Sequence, residues 1–256
     1  MIRHKCCILS AWFSLACAPI ALSQTSSVPL TYDVVSVRPS NPSSDEGRIS
    51  PLPNGVGYNA VGVPVSAMLS VMYRIPHRQI VGGPSWVYNA NFDVLVRADH
   101  RYSIDDLHAM FQNMLADRFH LKLHIEIRTG PVYALTLAKS GLKMTPVAEQ
   151  QLRNSPIFTN DDTDFTGTSV PMNYLCFWLG MKLQEDQRPV IDKTDLTGHY
   201  DFKLTFRPLL PPDASEPGSL PSIFHAVKDQ LGLQLIPQQG PVPTLVIDHI
   251  EKPSEN

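Results

Sequence analysis

Residues 58–137 and 165–247 carry the same landmarks in the same order, and a chain that repeats itself folds most simply as two copies of one unit. Tyr58 and Val63-Pro64 match Phe165 and Val170-Pro171 at an offset of 107, and Asn91-Phe92-Asp93 matches His199-Tyr200-Asp201 at 108. Asp117, Leu121 and Leu123 match Asp229, Leu233 and Leu235 at 112. Gly130-Pro131-Val132 and Leu135 match Gly240-Pro241-Val242 and Leu245 at 110. The offset drifts by only a few residues, as loops of unequal length require.

Periodicity fills in the elements. Thr31–Val37 alternates like a strand and ends at Arg38-Pro39, and Gly55–Val61 is a weaker one. Val65, Met68, Leu69 and Met72 fall at helical spacing after Pro64, and Pro76 stops that helix. Gln79–Val81 and Asn91–Val96 are short strands. Ser103, with Asp106 three residues on, resembles a capping box for a helix whose apolar face is Leu107, Met110, Phe111 and Met114. Leu121–Ile127 and Val132–Leu137 then read as a hairpin turning at Arg128–Pro131. In the second copy, Met172, Leu175, Cys176 and Leu179 mark the first helix. Strands Pro189–Ile191 and Tyr200–Phe206 flank an Asp/Thr/Gly turn, and a proline-rich loop covers 207–219. The second helix runs Leu220–Leu231, and a hairpin joins Leu233–Ile236 to Val242–Ile247. Residues 138–164 are polar and aperiodic and read as a linker. The expectation is an α+β protein of two tandem related α-β-β-α-β-β units, residues 28–137 and 165–256, each a small sheet covered by two helices.

The first 23 residues read as a secretory signal: Arg3, His4 and Lys5 lead an apolar run, and Ala21-Leu22-Ser23 offers small residues for cleavage. Ser14-Leu15-Ala16-Cys17 is a poorer lipoprotein signal, because Ser14 stands where an aliphatic residue belongs. The expected address is the periplasm or the medium, with no transmembrane segment after cleavage. Removing the signal leaves 19 basic and 24 acidic residues, a net charge of -5, which argues against nucleic-acid binding. It also removes Cys6, Cys7 and Cys17, so Cys176 can form neither an internal disulfide nor a thiolate cage.

No reactive constellation stands out. Asp192, Asp195, His199 and Asp201 lie within ten residues, but Asp and Thr ahead of Gly are turn formers, and His199 aligns with Asn91. His120 and His124 fall on the polar side of a strand and lack the His-Glu-x-x-His spacing of a zinc site. Ser140-Gly-Leu-Lys143 matches Ser-x-x-Lys without its companion motifs. No catalytic residue, metal ligand or cofactor is assigned. The candidate binding surface is Trp86 and Tyr88, read as loop aromatics, with Asp192, His199, Tyr200 and Asp201 at the turn.

Tyr32-Asp-Val-Val-Ser-Val-Arg-Pro39, Gly82-Gly-Pro-Ser-Trp86, Met114-Leu-Ala-Asp-Arg-Phe119, Pro189–Phe202, Gln230-Leu-Gly-Leu233 and Val246–Asn256 together resemble the uncharacterised "soil-associated" exported family expanded in Acidobacteria. That resemblance implies export, many copies per genome, occasional attachment to membrane metallopeptidases of the antibiotic-sensor type, and no established activity. In element order each half is also similar to the short N-terminal domains of secretins and TonB-dependent receptors, Phe224–Leu233 being the closest piece. The expected function is a secreted or periplasmic non-enzymatic interaction or sensor module, its partner an envelope protein or glycan. The alternatives are an envelope hydrolase using the Asp192–Asp201 turn and a regulatory domain of a membrane metallopeptidase.

Overall fold

A computed structural model describes residues 30–40, 47–150, 156–159, 163–183, 188–207 and 220–253. The expected signal and most of the proline-rich loop lie outside the described residues.

The first copy runs β1 (Val34–Pro39), β2 (Arg48–Pro51), β3 (Gly57–Pro64), α1 (Val65–Tyr73), β4 (Ile80–Gly82), α2 (Trp86–Asn89), β5 (Asn91–Arg97), α3 (Ile104–Arg118) and β6 (Lys122–Leu137). The second runs β7 (Thr145–Val147), β8 (Ile157–Thr159), β9 (Asp164–Pro171), α4 (Met172–Lys182), β10 (Val190–Asp192), β11 (His199–Thr205), α5 (Ile223–Ala226) and β12 (Leu233–His249), with a π-helical turn at Val227–Leu231 after α5. The α+β class holds. Local signals placed the helices: Pro64 precedes α1, whose Val65, Met68, Leu69 and Met72 are buried, and the Ser103 hydroxyl caps α3 by accepting the Asp106 amide at 3.1 Å. Leu107, Met110, Phe111 and Leu115 then face the core.

Residues 138–164 are not all linker, because they hold β7 and β8. Sheet β1-β5-β3-β2 in the first copy has its counterpart in β7-β11-β9-β8 in the second. The registers correspond: Arg38 and Pro39 pair with Asp93 and Phe92, while Thr145 and Pro146 pair with Asp201 and Tyr200. Ile49 pairs with Ala60 as Ile157 pairs with Gly167. Three-residue edge strands are too short to display an alternation, which is why they read as linker.

The two expected hairpins do not form. Gly130-Pro131 and Gly240-Pro241 lie in the middle of uninterrupted strands, and β6 pairs antiparallel with β12 from Lys122 against His249 to Leu137 against Leu233. Gly130 opposes Gly240 at the centre. A Cβ on Gly240 would come within 2.8 Å of a Val132 methyl, and one on Gly130 within 3.1 Å of a Val242 methyl. The repeated Gly-Pro-Val is therefore the mark of a pseudo-two-fold axis at which each glycine makes room for the other strand's valine.

Because β6 and β12 each cross this axis, the two copies exchange strand ends. β4 lies parallel on β12, Ile80 beside Leu245 and Gly82 beside Ile247, while β10 lies parallel on β6, Val190 beside Tyr133 and Asp192 beside Leu135. The first core, with Met68, Phe111 and Phe119, is completed by Leu245, Ile247 and Ile250 from the second copy. The second, with Leu179 and Phe206, is completed by Tyr133 and Leu135 from the first. The chain beyond each crossing strand also closes the other copy's helix: the Glu251 amide donates to the Phe119 carbonyl at 2.7 Å, and that of Lys143 to Leu231 at 2.9 Å.

Candidate functional site

The six residues singled out from sequence do not converge. Trp86 and Tyr88 lie on the short helix α2 rather than in a loop. Trp86 packs back on its own lobe, stacked on Phe119 and edge-on to Phe92. The Tyr88 hydroxyl donates to the Gly82 carbonyl at 2.8 Å, tying α2 to β4. Asp192 accepts the amide and hydroxyl of Thr194 at 2.9 and 2.7 Å, and the Thr194 hydroxyl accepts the Leu196 amide, so this part of the turn is held by its own side chains. Tyr200 is buried and donates to the Thr197 carbonyl at 2.9 Å.

Asp201 has an architectural partner that explains the repeated aromatic-Asp landmark. Its carboxylate accepts the Ser169 amide at 2.7 Å, and Asp93 accepts the Gly62 amide at 3.0 Å. Gly62 and Ser169 both have positive φ, 65° and 48°, beside the register slips in their sheets, so each aspartate holds a bulge. Burial disfavours the Asp93 charge, but the Gly62 amide, Ser40 and Arg38 outweigh it and hold the carboxyl below the usual range. Of the six, His199 and Asp192 line clefts among the described residues, and these are different clefts.

Those clefts belong to the seam between the lobes. One mainly apolar cleft of the seam encloses about 180 Å³. The first lobe contributes Ile49, Tyr58, Val71, Tyr102, Ile104, Leu107 and His108; the second contributes Pro156 and the α4 side chains Tyr174, Phe177 and Met181. Sequence reading missed this wall. It assigned α4 one apolar stripe, yet Met172–Met181 is apolar almost all round, and such a helix is covered on both sides. Leu175, Cys176, Trp178 and Leu179 face their own core, while the i, i+3, i+7 row Tyr174, Phe177, Met181 is turned to the other lobe.

A polar rim adjoins it. Arg74, in the left-handed conformation that ends α1, is ion-paired with Asp105 and has its guanidinium 5.6 Å from the Tyr174 ring centre. Arg74, Asp105, Glu149, Gln150 and His199 surround a smaller cleft of about 130 Å³ that shares Ile104, Pro156 and Tyr174 with the apolar one.

Two polar groups sit inside the apolar cleft. Tyr58 and His108 are 6% and 7% exposed, their rings 5.7 Å apart, and neither side chain has a hydrogen-bond partner among the described residues. Burial, reinforced by Tyr174, pushes the Tyr58 phenol far above its ordinary value. Burial, reinforced by the Arg74 charge and opposed by Asp105, pushes His108 down to about 4, so the ring is neutral at pH 7.

This depression has a consequence for stability. In the unfolded chain His108 takes up a proton as pH falls below about 6.5, while the folded chain refuses it until about 4, so stability present above 6.5 is lost between those values. Between pH 7 and 4.5 the wild type should lose about 2 kcal/mol more than His108→Phe, measured by urea unfolding. Equal losses would show that His108 is not held neutral.

The remaining candidate chemistry is inert or solvated. Cys176 is buried, its thiol pushed up to about 12 by desolvation and then by Asp192, so it is no nucleophile at neutral pH. His120 is not on the strand but is the left-handed residue ending α3, near Glu251. His124 on β6 pairs with Asp248 at 2.9 Å and Glu126 at 3.3 Å, and hydrogen bonds to both raise its pKa. Lys143 donates to the Asp229 carbonyl at 2.6 Å. Among the described residues no three His, Cys, Asp or Glu side chains gather as metal ligands, and no helix is long and apolar enough to cross a membrane.

A family model described as "Protein of unknown function (DUF3738)" matches residues 66–250, from α1 in the first copy to the end of β12 in the second. No curated protein and no solved structure matches the chain.

Proposed function

This chain belongs to the DUF3738 family of proteins of unknown function, and from that premise we propose that it is an exported, non-enzymatic binding or sensor module that takes a ligand between its two lobes. The observation that carries the reading is the inter-lobe cleft, an apolar cavity with two buried polar side chains that lack partners among the described residues. An apolar pocket with a few convergent polar groups is the usual form of a small-molecule site. The acidic turn supports a binder over a hydrolase, because Asp192 and Asp201 are engaged with nearby amides. Export rests on the basic and apolar character of the first 23 residues, and the soil-associated acidobacterial origin on the motifs shared with that family. A place beside a membrane metallopeptidase would make ligand binding a signal to that partner.

Toluene tests the cleft directly. It should raise the melting temperature of the mature protein saturably, and Met181→Trp, which fills the cleft from the second lobe, should abolish the rise. A wild-type protein that no small uncharged aromatic probe stabilises, or a rise that survives Met181→Trp, would refute the reading.

A further inference from the structure

The chemistry of the cleft narrows its ligand. Among the described residues its lining includes no aspartate, glutamate, lysine or arginine, and Arg74 and Asp105 at the rim are paired with each other. A charged ligand group would lose its hydration there without gaining a counter-ion, which is strongly unfavourable. Flat rings dominate the walls: Tyr58, His108, Tyr102, Tyr174 and Phe177. Such surfaces favour another ring in offset or edge-on contact. At about 180 Å³ the space is of the order that admits a single aromatic ring, since cavities of roughly 150 Å³ hold benzene.

The two side chains without partners then specify one polar substituent. A phenol hydroxyl donates whenever an acceptor is offered, and a neutral imidazole carries one donor and one acceptor nitrogen. Their rings are tilted 43° to each other on the same side of the cleft. A hydroxyl on the ligand would accept from the Tyr58 hydroxyl and donate to the bare nitrogen of His108. A hydrocarbon would leave both unsatisfied.

We propose that the inter-lobe cleft binds an uncharged, single-ring aromatic molecule bearing a hydroxyl, a phenol in the chemical sense, through Tyr58 and His108. This rests on the cleft being a ligand site, and the probes are chosen so that the two ideas fail separately.

The experiment compares p-cresol, toluene and p-toluate, which share a methylated ring and differ in the polar group, by calorimetric titration of the mature protein at pH 7. The wild type should bind p-cresol roughly tenfold tighter than toluene, the worth of about one to two net hydrogen bonds, and p-toluate at least a hundredfold more weakly than p-cresol. Tyr58→Phe removes an oxygen without a partner among the described residues, so it should fold normally and bring p-cresol to within about threefold of toluene. His108→Phe, which keeps a ring beside Tyr58, should do the same independently. Equal binding of p-cresol and toluene to the wild type would overturn the phenol assignment while leaving the cleft a ligand site. Binding of p-toluate as tight as that of p-cresol would overturn the exclusion of charge. Failure of all three probes would overturn the cleft reading itself.

Discussion

Leu245→Ala should destabilise the lobe that residues 30–121 build, although Leu245 lies more than a hundred residues downstream in the second copy. Its side chain is fully buried in the first core beside Ile247 and β4. Truncating a buried leucine removes its transfer free energy and leaves a cavity, about 2–5 kcal/mol together. Leu135→Ala is the mirror experiment, since Leu135 is equally buried but belongs to the second core. Amide exchange under native conditions separates the two: Leu245→Ala should lose protection first in β3, β5 and α3, and Leu135→Ala first in β9, β11 and α4. The opposite assignment, each leucine weakening its own copy, would mean that the strand ends are not exchanged.

Gly232→Ala is expected to have an effect of similar size for a different reason. Gly232 closes the second copy's last helix with φ 70°, a conformation that disfavours side chains by about 1–2 kcal/mol. A Cβ there would also overlap the Gly141 carbonyl oxygen, because the turn after β6 folds over this helix end, with the Ala138 amide on the Gly232 carbonyl at 2.9 Å. Moving that backbone aside adds about 1–3 kcal/mol, so the total is roughly 2–5 kcal/mol. His120 occupies the matching position in the first copy with φ 49° and is exposed, so no such overlap burdens it. His120→Gly should change stability by less than about 1 kcal/mol, because relief of strain is offset by the greater freedom of glycine in the unfolded chain. Urea midpoints of the two variants decide the matter; a Gly232→Ala protein within about 0.5 kcal/mol of wild type would remove the close approach from the account.

The candidate site was less legible in the sequence than the framework. Asp93 and Asp201 were correctly matched to each other, and their shared task of holding a bulge fits the reading of such landmarks as architecture. In the sequence Tyr58 is only a landmark of the repeat and His108 carries no signal, because nothing in a helix's local pattern distinguishes a histidine facing a cavity from one facing solvent. The row Tyr174, Phe177, Met181 did leave a signal in the all-round apolarity of α4, and taking only its better stripe concealed the second lobe's half of the cleft. Trp86 and Tyr88 read as loop aromatics because a four-residue helix barely exceeds one turn of about 3.6 residues, too short for its spacing to repeat.

Two copies, the α+β class and the inward faces of the longer elements were determined by sequence alone, because spacing along the chain and capping groups such as Ser103 act over only a few residues. Tertiary structure decided which copy supplies each closing strand. Alternation in β6 and β12 is the same whether the neighbouring strand belongs to the same copy or the other, and Gly-Pro reads locally as a turn until Gly130 is seen facing Gly240. The cleft followed from that choice: two long strands crossing at the axis bring α3 of one lobe opposite α4 of the other, placing His108 near Tyr174 across a distance along the chain that no local pattern spans.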